Sequence, residues 1–254
     1  MTIRLEETRE KRNNWIACIN RAAQLGIKDL YEYDESNAVG RGRYAGVYPA
    51  RRRAPTGKGE PFQSTGAEQQ NVEADKKKSL SSQVLQQVPL SDYDCALKII
   101  DKKDFWRRVV KGRERADTLV REASVQATMA SRCSKIPAFV RIRGFFETSD
   151  HVVLELELLK GVDLFQYVSS KGVLPEKEAA LILRDILLVL DGMNRVGLAH
   201  RDVKPANILM VTEDKSIPWE EAPCVVKVAD FGMATFQGVD SLIRGRCGTP
   251  GYVA

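Results

Sequence analysis

The residues best equipped for chemistry sit in one ten-residue stretch, HRDVKPANIL, residues 200 to 209. Moving a phosphoryl group onto a hydroxyl needs a carboxylate to orient the hydroxyl, a cation to hold the transferred phosphate, and oxygen ligands for Mg²⁺. Asp202, Lys204 and Asn207 offer these groups within six residues. A second carboxylate, Asp230, opens the tripeptide DFG twenty-three residues after Asn207, where the apolar run VVKVAD ends. One DFG alone is a weak signal. Two motifs at a fitting distance, the second closing a strand pattern, form a specific one.

These groups need elements to position them, and the hydrophobic pattern provides candidates. CALKII (95 to 100) reads as a strand carrying Lys98 among apolar neighbours, and DTLVREASVQATMA (117 to 130) as a helix. FVRIRGFFE and HVVLELELL read as strands joined by TSD, followed by a short helix at DLFQYVSSKG and a long one at PEKEAALILRDILLVLDGMNRVG. NILMV and VVKVAD form a hairpin around a Pro- and acid-rich loop at 212 to 223. Upstream, residues 4 to 25 repeat Trp15, Ile16, Ile19, Ala22 and Ala23 at helical spacing, with Gly26 as the stop. A strand at YEYDES and a glycine-rich turn at VGRGRYAGVYPA come next, and then residues 51 to 91, rich in Gly, Pro, Ser, Gln and charge, read as a disordered insertion. Strands with one helix first and helices later predict an α+β chain of two lobes.

Composition excludes several classes. At 254 residues, 43 % hydrophobic and 29 % charged, the chain can bury a substantial core. Five widely spaced cysteines form no disulfide framework, and two distant histidines without a cysteine pair make a structural zinc site a poor reading. The charged start MTIRLEETREKRNN is no secretory signal, and no apolar run is long enough to span a membrane. The net charge of +5 centres on DKKDFWRRVVKGRER (101 to 115), seven Lys or Arg against three Asp or Glu. That run reads as a solvated face and not as a nucleic-acid site.

HRD-x-K-x-x-N followed by DFG resembles the catalytic loop and metal-binding turn of the protein kinase family. The resemblance implies a bilobal fold, ATP and Mg²⁺ as cofactors with no other metal, and a protein substrate. It casts Asp202 as the residue orienting the substrate hydroxyl, Lys204 as the phosphate-stabilising cation, and Asn207 and Asp230 as metal ligands. Gly40 and Gly42 in GRGRYAGV match the first two phosphate-loop glycines and Val47 the loop valine, while Ala45 replaces the third glycine, with Gly46 just after it. Lys98 resembles the lysine that meets the α- and β-phosphates; the alternative for it is a snorkelling edge lysine. Its helix partner is then Glu122, with Glu114 in reserve, and Gln126 stands where an apolar residue is usual. Ala96 and Leu209 would enclose adenine with Val47, Leu156 would be the gatekeeper, Glu157 and Leu159 would contact adenine through the backbone, and Asp163 would lie near the ribose. His200 and Phe231 read as core residues behind the site.

Lys204 and Thr249, in CGTPGY, resemble the Ser/Thr-specific members of the family, and ALKIIDK and CGTPGYVA suit the calmodulin-dependent and protein kinase D-like groups. Gly245 aligns with the usual phosphorylated Thr, leaving Ser241 or Thr235 as candidate regulatory sites beside Arg201. The helix TREKRNNWIACINRAAQ resembles the last helix of a pleckstrin-homology domain, which would imply a cytoplasmic parent protein recruited to a lipid surface or a partner; the alternative for it is a helix packing onto the small lobe. The pleckstrin-homology reading divides the chain into residues 1 to 30 and a kinase domain over 34 to 254, interrupted inside the A-P-E motif at Ala254 and exposing apolar surface beneath its site. The other class of reading is a non-catalytic, nucleotide-binding or scaffolding module of the same fold. Ala45 and Gln126 favour it, and the full set of chemical residues opposes it.

Overall fold

The computed structural model describes residues 25–42, 44–53, 92–211, 218–240, 242–243 and 247–253. The helix read over 4 to 25, most of the insertion, Ser241, Gly245 and Ala254 lie outside these residues. In chain order the elements are α1 (Ile27–Leu30), β1 (Tyr31–Tyr33), β2 (Gly40–Arg41), β3 (Ala45–Arg52), β4 (Cys95–Asp101), α2 (Lys102–Val110), α3 (Thr118–Arg132), β5 (Ile142–Glu147) and β6 (His151–Glu157). There follow α4 (Leu164–Lys171), α5 (Glu176–Arg195), β7 (Leu198–Ala199), β8 (Ile208–Met210), β9 (Val226–Val228) and β10 (Thr235–Phe236). Two 3₁₀ turns, Pro205–Asn207 and Phe231–Met233, carry the two motifs.

β4 sets the first lobe. Its side chains alternate across the sheet, as strand geometry requires. Leu97 and Ile99 join Ile27, Tyr31 and Val153 in an outer cluster, while Ala96 and Ile100 join Phe105, Leu119, Leu154 and Leu156 in an inner one. The sheet is antiparallel in the order β1-β3-β4-β6-β5, with β2 on β3. α3 closes the inner face because Leu119, Glu122, Val125, Gln126 and Met129 recur at helical spacing and are buried. In the second lobe α5 buries Ile182, Asp185, Val189 and Met193 against a core that includes Phe139, Ile208, Val226 and Phe231. Its opposite face leaves Leu183, Leu187 and Leu188 exposed. The α+β, two-lobed expectation is met.

Several boundaries move. Gly26 does not end a helix among the described residues; it caps the start of α1, where its N–H donates to the Asp29 carboxylate at 2.7 Å. Ile27 and Tyr31 are buried against the sheet, so the packing of the first lobe reaches back to residue 27. The strand at YEYDES stops at Tyr33 because Asp34 turns the chain, accepting from the Ser36 N–H and hydroxyl. Residues 51 and 52, assigned to the insertion, pair with Glu32 and Tyr31 in β3, and the Arg52 guanidinium donates to the Glu155 carboxylate. The basic run from 101 opens with a helix, α2, capped by Asp101, whose carboxylate accepts from the Asp104 N–H at 2.6 Å. Phe105 in that run is core, not solvated.

Candidate active site

Lys98 projects from β4 into the cleft between the lobes. Its ammonium donates to Glu122 of α3 at 2.5 Å and to Asp230 at 3.0 Å. Burial opposes the lysine's charge, but the two carboxylates outweigh it and hold its pKa above the ordinary value. The Lys98 ammonium is in turn the main reason the Asp230 pKa falls to about 2. Asp230 is therefore an anion at neutral pH. Glu114 is engaged elsewhere, accepting from the Thr118 hydroxyl at 2.8 Å through its carboxylate at the start of α3.

Asp202 and its neighbours form a second cluster. The Thr249 hydroxyl donates to Asp202 at 2.6 Å, Lys204 donates to that hydroxyl at 2.7 Å, and Lys204 pairs with Asp202 at 2.9 Å. Asn207 turns its Nδ2 to the Asp202 carbonyl at 2.9 Å and carboxylate at 3.1 Å. Burial alone would raise the Asp202 pKa; the Thr249 hydroxyl and the Lys204 ammonium reverse that and lower it. Behind them the neutral His200 ring is fixed from both sides, accepting from the Asp202 N–H at 3.3 Å through Nδ1 and donating to the Ala229 carbonyl at 3.1 Å through Nε2. Its pKa is lowered by burial. His200 packs on Phe231 with centroids 5.2 Å apart, so catalytic-loop and DFG segments share one core. Among the described residues Arg201 and Asp230 are the non-glycines with left-handed backbone, one in each segment, and the Arg201 Nε donates to the Met233 carbonyl at 2.8 Å. Such backbone costs about 1–3 kcal/mol per residue and persists only where its surroundings enforce it.

Ala96 and Leu156 are buried in the inner cluster, and Val47, Leu159 and Leu209 pack against them as an apolar wall at the cleft. Gly40 pairs with Val47 across the β2–β3 hairpin, and Gly42 donates to the Ala45 carbonyl at 2.7 Å. Ala45 sits in β3 opposite Ile100. The tight position is the next one: a Cβ on Gly46 would fall 2.4 Å from the Tyr48 hydroxyl oxygen. Asp163 caps α4, accepting from the Gln166 N–H at 2.8 Å, and bridges to Leu209 at the same edge of the cleft. Glu157 points its side chain to the Lys227 ammonium, at 2.7 Å, and to the Arg141 N–H, at 2.8 Å. Thr235 stands apart from the Asp202 cluster, paired with Ala199 in β10.

Three residues to which sequence reasoning gave no role support the site. Asp185 of α5 is buried and accepts from the N–H groups of Val225 and Val226 at 2.6 and 3.3 Å, anchoring the strand that leads to Asp230. A carboxylate inside the apolar run LILRDILLVL was its visible signal. Lys227 ties the end of β6 to β9, and Tyr44 reaches from the β2–β3 turn to α2.

The oxygens suit a hard divalent cation. Asp230 shares Oδ1 with Lys98 and the Gly232 N–H while its side chain stays half exposed, and Asn207 commits its Nδ2 to Asp202, so its Oδ1 is the atom that could take a metal. Mg²⁺ characteristically takes one or two protein oxygens together with substrate phosphates and water. Among the described residues no group of three or more His, Cys, Asp or Glu forms a metal cluster. The arrangement as a whole can hold a triphosphate against Lys98, a cation between Asp230 and Asn207, and a hydroxyl against Asp202.

Comparison with known proteins agrees with this geometry. Residues 79–254 match the family model for the protein kinase domain. The chain is 34 % identical over 159 residues to calcium/calmodulin-dependent protein kinase type 1 of Macrobrachium nipponense, covering 63 % of this chain and 40 % of that protein. It is 36 % identical over 118 residues to the serine/threonine-protein kinase RAD53 of Saccharomyces cerevisiae, covering 46 % of this chain and 13 % of that protein. Over an equal length it is 36 % identical to human calcium/calmodulin-dependent protein kinase type IV, covering 24 % of that protein. The chain thus spans less than half the length of each of these relatives, from 13 % to 40 %.

Proposed function

The chain belongs to the protein kinase family, and from that premise we propose that its site transfers the γ-phosphoryl group of ATP to a Ser or Thr hydroxyl of a protein. One observation carries the reading: an aliphatic hydroxyl, that of Thr249, is held at 2.6 Å from Asp202 and 2.7 Å from Lys204. This is the placement an acceptor hydroxyl needs, with a carboxylate to take its proton and a cation beside the phosphate it attacks.

In the proposed reaction the substrate hydroxyl oxygen attacks the γ-phosphorus, the bond to the β,γ-bridging oxygen breaks, and ADP leaves. Asp202 orients the hydroxyl and accepts its proton, and Lys204 faces the charge on the transferred group. Lys98, fixed by Glu122, meets the α- and β-phosphates. Asp230 and Asn207 would hold Mg²⁺, which when bound neutralises phosphate charge. Val47, Ala96, Leu156, Leu159 and Leu209 would enclose adenine, with Glu157 and Leu159 offering backbone groups to its edge and Asp163 facing the ribose. The β2–β3 hairpin with Gly40 and Gly42 covers the phosphates.

Peptide pools that differ only in their acceptor residue test the specificity. The full-length protein with ATP and Mg²⁺ is expected to label Ser and Thr pools and leave the Tyr pool at background; preferential labelling of Tyr would overturn the Ser/Thr assignment. The presence of Lys98, Glu122, Asp202, Lys204, Asn207 and Asp230 together, with Lys98 and Lys204 each paired to a carboxylate, speaks for catalysis over a scaffolding role.

A further inference from the structure

α2 stands between the strand that carries Lys98 and the helix that carries Glu122, and its buried residue touches the phosphate-loop hairpin. Tyr44, in the turn between β2 and β3, meets Phe105 edge-on, with centroids 5.3 Å apart and planes at 72°. Phe105 is only 1 % exposed and is flanked on another edge by Trp106 at 5.4 Å. A second link runs through the backbone: the Asp101 N–H donates to the Tyr44 carbonyl at 3.2 Å, and Asp101 is the residue that caps α2. The start of α2 and its buried ring therefore grip the same residue of the turn. Tyr44, Ala45 and Val47 pack against the cluster that contains Ala96, Leu156 and Phe105. Burial raises the Tyr44 phenol pKa, with the Glu114 and Glu122 carboxylates adding to it, which fits a ring turned toward the Lys98 end of the cleft.

Resting on the kinase reading above, we infer that Phe105 is a positioning residue for nucleotide binding: through Tyr44 it fixes the β2–β3 turn over the place where the phosphates sit. A hairpin tip that must cover a ligand loses conformational freedom when it does so, and a contact that orders it beforehand lowers that cost. An aromatic pair of this geometry contributes enough to change an equilibrium roughly 2- to 12-fold beyond simple burial. Its effect belongs in the affinity for nucleotide and not in the chemical step, because both rings pack in the inner cluster of the sheet lobe, whereas the Asp202–Thr249 pair belongs to the other lobe.

The test uses Phe105→Leu, Tyr44→Leu and the double variant in the full chain. Mg²⁺–ADP affinity, KM for ATP and kcat are measured beside hydrogen exchange of residues 40 to 47 and thermal midpoint. Each single variant is expected to weaken ADP binding and raise KM by roughly 2- to 12-fold, to leave kcat at saturating ATP within about 2-fold, and to speed exchange at 40 to 47 while the β8–β9 pair keeps its protection. The double variant should match the weaker single, since both remove one contact. Unchanged ADP affinity and loop exchange in Phe105→Leu, or losses that simply multiply in the double variant, would overturn the inference. Should Phe105→Leu fail to fold, Tyr44→Leu, whose side chain is only partly buried, decides by the same readouts. A wild-type chain that binds no nucleotide defeats the kinase reading, whereas loop exchange still decides whether Phe105 orders the turn.

Discussion

At the scale of single residues, the cleft is organised by charges that are each answered locally. Lys98 answers Glu122 and Asp230, and Lys204 answers Asp202. Gln126, a neutral amide, is different. It lies one turn beyond Glu122, is 2 % exposed, and its Oε1 has no hydrogen-bond partner among the described residues. A buried acceptor left unpaired costs about 1–3 kcal/mol. Gln126→Leu, close in volume and apolar, should therefore stabilise the fold by about 1 kcal/mol or more in denaturant titration; a loss of stability would mean that the amide has a favourable role. His200 gives a pH prediction. Its folded pKa lies below the unfolded value near 6.5, so below that pH the unfolded chain binds the extra proton. The stability it contributes is complete above about pH 6.5 and declines as pH falls toward the folded pKa. Thermal midpoints measured down that range should show the decline, and His200→Phe should remove this component. Asp230 behaves in the opposite part of the scale: its depressed pKa contributes stability above about pH 4 that is lost as pH falls toward 2.

At the scale of elements, the motifs work because other segments hold them in register. β9 must deliver Asp230 to Lys98, and Asp185 of α5 fastens its entry by accepting two backbone N–H groups. Asp185→Ala leaves those donors buried and should cost about 1–3 kcal/mol, with faster hydrogen exchange at Val225 and Val226; Asp185→Asn, which keeps an acceptor oxygen, should cost less. Unchanged exchange at both amides in Asp185→Ala would refute the anchoring role. β4, β5, β6, β8, β9, α3 and α5 were legible in the sequence because alternation and three- and four-residue spacing report which face is buried, whereas β3 was hidden inside what reads as a glycine-rich turn. α2 was not legible either: in DKKDFWRRVVKGRER a single core ring is surrounded by cations, so charge hides the one residue of the helix that is buried. The role of Lys227 was equally hidden, and Asp185 showed only as a carboxylate in an apolar run, since the partner of each, Glu157 or the β9 backbone, is brought close only by the fold.

At the scale of the molecule, the site is a seam between two cores. The sheet lobe contributes Lys98, the glycine hairpin and most of the apolar wall; the helical lobe contributes Asp202, Asn207, Leu209 and Asp230. The three parts joined by Lys98, Glu122 and Asp230 come from β4, α3 and the turn after β9, which no local pattern could place together. The resemblance to the kinase family implied that meeting, whereas the charge pattern alone did not. The exposed leucines of α5 are also a molecular-scale property: Leu183, Leu187 and Leu188 lie on the side that carries Ala180 and each keeps about half of its surface open. Apolar stripes of this kind promote association. The 254-residue chain is expected to show concentration-dependent mass in sedimentation, and Leu183→Gln with Leu187→Gln to reduce it without lowering the thermal midpoint.

The central claim, that this cleft moves a phosphoryl group, is tested most directly by following labelled γ-phosphate from ATP to a protein acceptor in the full-length protein with Mg²⁺. Wild type should transfer label, Asp202→Asn and Lys98→Met should each lower the rate at least about 100-fold, and both variants should remain folded. Equal transfer by wild type and both variants, or none by wild type, would contradict it.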